Sequence, residues 1–249
     1  LLHQELRETP VYNSVIEAVA LGNTKLNDIS QKSLLEDSAK TSIYLKNLVE
    51  LGIVEREFSV DAKTKERANG NRGTYRLTAH FLRNWDTVGY PNFSQLEDGD
   101  AQGVCDYVVK PALDKFASLA FEDICREFVK ELQKRNQLPF RYARMGRWTG
   151  RTTVRDAGSR EGIRTAETEI DLLAADREEK NYLVGECKFK NAPFAYSEYL
   201  DTLAKLEPLK GNAEVYYALF SESGCDDRIK DESSDHLRLY ALDEIVNLR

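Results

Sequence analysis

Apolar residues recur at helical spacing through the first fifty positions and are cut by turn formers. Val11 to Leu21 is a short amphipathic stretch preceded by Pro10 and closed by Gly22. Thr24 is placed to cap a second helix carrying Leu26 and Ile29, and a third runs from about Asp37 to Leu51 with Gly52 as its stop. On a helical wheel Tyr44, Leu45, Leu48 and Leu51 share one face, while Lys40, Ile43, Lys46, Asn47 and Glu50 share the other. Ile53 to Phe58 then reads as a strand, Asp61 to Gly73 as a polar loop and Thr74 to Leu77 as a return strand. Three helices followed by a hairpin with a basic tip is the order of a winged helix-turn-helix.

From Pro91 to Asp100 the chain is rich in turn formers and acids and has no apolar period. This places a linker at 91–104, between a domain at 1–90 and another at 105–249. In the latter, Asp106 to Gln133 is mostly helical. Glu169 to Ala175, Tyr182 to Phe189, Glu214 to Ser221 and Leu237 to Ala241 read as strands, and Tyr196 to Leu206 as a helix closed by Pro208. The expected fold class is α/β (α+β), a mixed sheet with flanking helices behind the winged helix.

Composition narrows the functions. The 249 residues carry 35 Lys and Arg against 42 Asp and Glu, a net charge of −7. A uniformly basic nucleic-acid coat is excluded, so any such site is a local patch. No apolar run approaches the roughly 20 residues that span a bilayer, and no signal peptide opens the chain. Cys105, Cys125, Cys187 and Cys225 lack Cys-x-x-Cys spacing and read as reduced thiols of a cytoplasmic protein. His3, His80 and His236 have no zinc-ligand spacing. The opening Leu1-Leu2-His3, without an initiator Met, points to a fragment of something longer.

The chemistry concentrates in two strand-like segments, Glu169-Ile170-Asp171-Leu172-Leu173-Ala174 and Leu183-Val184-Gly185-Glu186-Cys187-Lys188-Phe189, joined by a polar turn into a predicted hairpin. Side chains alternate along a strand, so Glu186 and Lys188 share a face and Leu183, Cys187 and Phe189 take the other. Charges at the ends of apolar strands are unfavourable to bury unpaired. A divalent cation resolves this, because Asp171 and Glu186 offer hard oxygen ligands suited to Mg²⁺. In the helix around Phe121, the stripe Phe121, Ile124, Phe128 and Leu132 leaves Glu122 on its border, the acid there best placed to look inward.

A Glu in a first helix, an Asp opening a hairpin and Glu-x-Lys fifteen residues on resembles the PD-(D/E)xK nuclease superfamily. The surrounding Glu-Ile-Asp-Leu-Leu-Ala and Val-Gly-Glu-Cys-Lys-Phe are more specifically similar to the nuclease-like C-terminal region, of DUF234 type, in prokaryotic archaeal-type AAA+/STAND ATPases. The winged helix and Tyr75-Arg76-Leu77 leading to Phe81-Leu82-Arg83-Asn84-Trp85 resemble the segment that follows the ATPase module there. The resemblance implies a restriction-endonuclease-like sheet. It implies Glu122, Asp171 and Glu186 as ligands of Mg²⁺ or Mn²⁺, joined by the Cys187 carbonyl. Asp171, Glu186 and Lys188 are then catalytic, with Lys188 holding or activating water or stabilising phosphorane charge. Ile170 stands where the superfamily name has Pro, and no Gly-x4-Gly-Lys-Ser/Thr occurs, so the implied ATPase module is not in this chain.

Seven arginines (141, 144, 147, 151, 155, 160 and 164) lie between Arg141 and Arg164, against Asp156 and Glu161. With Tyr142 and Trp148 interleaved, Arg141, Arg144, Arg147, Arg151 and Arg155 are the expected phosphate grip. Lys40 and Lys46 of the third helix, with Lys63, Lys65, Arg67 and Arg72 of the loop, are the expected winged-helix contacts to DNA. Three readings stay open: a Mg²⁺-dependent nuclease, a non-catalytic DNA-binding or regulatory module, and a protein-interaction module of the ATPase. A homo-oligomer is also left open, and no membrane partner is expected.

Overall fold

The computed structural model describes residues 9–35, 37–61, 73–79, 85–155 and 163–247. The chain divides into two compact units, one of residues 1–58 and 62–116, the other of 59–61 and 117–249.

The first unit opens with helices α1 (Thr9–Ala20), α2 (Leu26–Lys32) and α3 (Ser38–Glu50), followed by β1 (Val54–Glu57) and β2 (Thr74–Leu77). The two strands pair antiparallel, from Val54↔Leu77 to Glu57↔Thr74. One core joins Val15, Ile16 and Val19 of α1, Ile29 of α2, Leu45 and Leu48 of α3, and Val54, Tyr75 and Leu77 of the hairpin. The Asp37 side chain caps α3, accepting the Ala39 N–H at 2.8 Å and the Lys40 N–H at 3.3 Å. Two expectations are corrected. Thr24 does not cap α2; Lys25 occupies the cap position and makes no side-chain cap bond, and the Thr24 carbonyl instead accepts the Tyr75 N–H at 2.8 Å. The buried stripe of α3 is Thr41, Leu45 and Leu48, while Leu51 is exposed because the helix has already ended at Glu50. The stretch read as a linker holds two short helices, α4 (Phe93–Glu97) and α5 (Ala101–Val104), the second capped by Asp100. Lys63, Lys65, Arg67, Arg72, Phe81 and His80 lie outside the described residues.

The second unit is a mixed α/β layer structure. Helix α6 (Lys110–Lys134), which contributes its residues from Ala117 onward, precedes β3 (Arg144–Arg155), β4 (Ile163–Ala175) and β5 (Asn181–Lys188). Then come α7 (Tyr196–Lys210), β6 (Glu214–Ser221), α8 (Asp227–Asp231), β7 (Leu237–Ala241) and α9 (Leu242–Asn247). The five strands lie in the order β3-β4-β5-β6-β7, antiparallel as far as β5 and parallel from β5 to β7. Phe121, Cys125, Phe128 and Val129 of α6 pack with Leu172, Leu183, Ala218 and Phe220 on one face of the sheet. Tyr199 of α7 packs with Phe194, Leu219, Ile229 and Leu237 on the other.

The structure departs from the predicted pattern here too. Ile124 is exposed, so the stripe of α6 runs through Cys125 and Val129 instead and turns toward Glu122. Helix α7 continues past Pro208 to Lys210. The arginine-rich segment is largely a strand, β3, at the sheet edge. Part of that edge is covered by Ser59–Asp61: the Val60 N–H donates to the Arg147 carbonyl at 2.9 Å, and Trp148 Nε1 donates to Asp61 Oδ2 at 2.9 Å.

Candidate functional site

The predicted hairpin forms. β4 and β5 pair from Ala175↔Tyr182 to Leu172↔Gly185. Asp176 organises the turn, accepting the Lys180 N–H at 2.9 Å and Asn181 Nδ2 at 2.6 Å. On the other side of β4 the register to β3 slips: Gly146 faces Leu173 and Trp148 faces Ile170, so Arg147 alone opposes Asp171 and Leu172. Such a bulge re-aims one side chain of a strand. Here the Asp171 carboxylate turns to β5, where Oδ2 accepts the Cys187 N–H at 2.9 Å, just past the last rung of the ladder. A Cβ at Gly185 would come within 3.0 Å of Leu172 Cβ and of the Phe220 ring, so glycine permits the close approach beside which Asp171 and Glu186 meet.

Glu186 is only 4% exposed and each of its oxygens holds an ammonium group. Lys188 Nζ donates to Oε1 at 2.9 Å, and Lys205 Nζ, from α7, donates to Oε2 at 2.6 Å. Burial, followed by the Glu186 charge, pushes the Asp171 carboxyl above the ordinary carboxylate range, against the pull of the Cys187 N–H and of both lysines. Burial acts to lower the Lys188 pKa, but the charge and hydrogen bond of Glu186, with Asp171 and Glu198, more than offset it. Lys188 therefore stays an ammonium at neutral pH. The Cys187 thiol is held well above its usual value by its hydrogen bond to Cys125 and then by burial, which makes it a core thiol and a poor nucleophile.

The structure thus brings together Asp171, Glu186 and Lys188, while Glu122 lies near enough to raise the Cys187 thiol together with Asp171. Glu122 forms an ion pair with Arg147, whose guanidinium also pairs with Glu169. Among the described residues no three His, Cys, Asp or Glu side chains gather to hold a metal. Two carboxylates still fit Mg²⁺ or Mn²⁺, since Mg²⁺ is held by one or two acids together with waters and substrate phosphate. The fit rests on Asp171, whose buried charge is opposed by Glu186 and whose cost a cation relieves.

Lys205 was missed by sequence reasoning. A signal exists in retrospect: Glu198, Thr202 and Lys205 lie at i, i+4 and i+7 on α7, and Thr202 is 1% exposed, which marks a polar stripe turned toward the sheet. Of the expected phosphate grip, Arg144 is paired with Glu179 at 2.5 Å and Arg147 with two glutamates, while Arg141 and Arg151 are exposed. Arg155 and Arg164 occupy strand positions and Arg160 lies outside the described residues. In the first unit, Lys40 is exposed, Lys46 faces Glu50 at 3.8 Å, and Asn47 Nδ2 donates to the Tyr12 hydroxyl at 2.6 Å. Among the described residues no helix is long and apolar enough to cross a membrane.

The chain is 30% identical over 193 residues to an uncharacterized protein of Methanocaldococcus jannaschii. The match takes 77% of this chain and 38% of that protein, so the chain spans about two fifths of its relative's length. Among solved structures it is similar to protein VC1899 from Vibrio cholerae, at 15% identity and a TM-score of 0.34, over 97% of this chain and 50% of that one. It is also similar to AF1548, a protein of unknown function, at 15% identity and a TM-score of 0.26, over 47% of this chain and 57% of that one. Residues 85–200, which include Glu122, Asp171, Glu186 and Lys188, match the model of the DUF234 family, described as "Archaea bacterial proteins of unknown function".

Proposed function

We propose that this chain is a nuclease-like module that hydrolyses phosphodiester bonds in DNA with Mg²⁺ or Mn²⁺. The observation that carries the reading is the meeting of two carboxylates, Asp171 and Glu186, at buried strand ends, with the Lys188 ammonium on Glu186. Asp171 and Glu186 would hold the cation, which when bound polarises the scissile phosphate and lowers the pKa of water. Lys188 stabilises negative charge developing on the phosphate; its raised pKa favours this role over that of a base. The exposed Arg141 and Arg151 contribute phosphate contacts. The helix–hairpin order of the first unit supports a winged helix whose Lys40 and Lys46 face DNA. The whole protein would join this module to an ATPase.

The test is nicking of a supercoiled plasmid in the presence of Mg²⁺, compared with Asp171→Asn, Glu186→Gln and Lys188→Ala. Cleavage is expected from the native chain alone and is abolished by EDTA. Cleavage that survives in all three variants, or in excess EDTA, removes the mechanism. A second reading, a non-catalytic DNA-binding or regulatory module, is favoured by one observation, the engagement of Glu122 with Arg147. It predicts salt-sensitive DNA binding without turnover.

A further inference from the structure

Both oxygens of Glu186 are hydrogen-bonded before any ligand arrives: Lys188 holds Oε1 at 2.9 Å and Lys205 holds Oε2 at 2.6 Å. Each oxygen keeps a lone pair for a divalent cation, but a cation there would repel the two ammonium groups beside it and favour their movement away. A displaced ammonium needs a new acceptor, because an unpaired charge in a buried site is strongly unfavourable. For Lys188 an acceptor is at hand. Ser221 of β6 is its register partner in the parallel ladder, and lies on the same sheet face as Lys188 and Leu219. Among the described residues the fully buried Ser221 hydroxyl has no hydrogen-bond partner, a condition that calls for an explanation in a folded protein. Both lysines reach the solvent from which an anion would come, the Lys188 side chain being 31% exposed and that of Lys205 23%.

We propose that Lys205 is a substrate-binding cation of this site: with Lys188 it occupies Glu186 until a divalent metal takes the carboxylate, and the freed ammonium groups then bind the substrate's phosphate. The proposal rests on the metal and phosphodiester reading above and adds to it a coupling. Metal entry makes the phosphate site, and phosphate, by holding the lysines away, unmasks the metal site. Each ligand then raises the affinity of the other by the same factor. Lysine is suited to this role, since its flexible stem carries a point charge that can change partners.

The experiment is calorimetric titration of Mn²⁺ into the 249-residue chain, with and without deoxythymidine 3′,5′-bisphosphate as the anion probe, followed by the reverse order. In the native chain the probe tightens Mn²⁺ at least about tenfold, and Mn²⁺ tightens the probe equally. Lys205→Met binds Mn²⁺ alone about tenfold more tightly, since a competing cation is gone, but its coupling falls to within about twofold. Lys205→Arg keeps most of the coupling. Ser221→Ala weakens Mn²⁺ binding with or without the probe, because the displaced Lys188 loses its acceptor, and Ser221→Thr restores it. Undiminished coupling in Lys205→Met would reduce Lys205 to a structural counter-ion and overturn the proposal. If that variant does not fold, absence of coupling in the native chain overturns it as surely. Coupling without plasmid cleavage upholds the proposal and removes the nuclease reading. Cleavage without coupling does the reverse, and no Mn²⁺ binding in any variant removes both.

Discussion

Two charged clusters flank the bulge in β4, and they are made of the same kinds of residue. In one, Glu122 of α6 and Glu169 of β4 share the guanidinium of Arg147. In the other, Asp171 and Glu186 meet Lys188 and Lys205. In the first, a planar, permanently charged fork serves two carboxylates at once. In the second both ammonium groups sit on Glu186, while Asp171 takes a main-chain N–H and faces a neighbouring carboxylate. Burial and that neighbour leave Asp171 above the usual carboxylate range. The difference separates a clamp that holds α6 to the sheet from a site that carries electrostatic strain, the kind a cationic ligand relieves.

Exchanging roles between the clusters is the sharpest way to break this contrast. Asp171→Asn or Lys188→Ala should lower Mg²⁺-dependent cleavage at least about 100-fold, whereas Glu122→Gln should leave it within about threefold. An equal loss in Glu122→Gln, measured by plasmid nicking, would merge the two clusters into one site. Stability should show the opposite order. Arg147→Ala leaves two glutamates without their cation and should cost about 2 kcal/mol in denaturant unfolding, a figure reduced for partial exposure. Asp171→Asn removes a disfavoured buried charge and should gain on the order of 1 kcal/mol. Added Mg²⁺ should raise the melting temperature of the native chain and leave that of Asp171→Asn nearly unchanged.

The smallest effect provides a reference away from both clusters. Burial, with Glu232 next, pushes the Tyr199 hydroxyl up to about 12. The folded state therefore holds this proton more tightly than the unfolded chain, where tyrosine titrates near 10. Its contribution is complete below about pH 10 and is lost as pH rises through the folded value. Tyr199→Phe should flatten stability between about pH 10 and 12 without altering cleavage. A change in cleavage would tie this tyrosine to the site.

Elements with a one-sided or continuous apolar pattern were legible from the chain. β6 and β7 begin and end where the pattern does, at Glu214–Ser221 and Leu237–Ala241. α3 is bounded by the Asp37 cap and by Gly52, which adopts a positive φ of 70°. β3 was not legible, because an edge strand studded with Arg and Gly shows no clean alternation and its register is broken by the bulge. The candidate acids Asp171 and Glu186 were legible for a local reason: a hairpin with a short polar turn brings its strand ends together. The Arg147 partner of Glu122 and the reach of Lys205 were not, since Glu122 and Lys205 each belong to a helix whose rotation against the sheet decides what its polar border meets.

Periodicity and turn chemistry act over a few residues, and they were enough to place the longer helices, most strands and the hairpin that carries Asp171, Glu186 and Lys188. The partner of each charge was settled only by packing. Arg147 reached Glu122 from 25 positions away and Lys205 reached Glu186 from 19. Coulomb attraction between such groups depends on distance and burial in space, and the linear order of residues encodes neither.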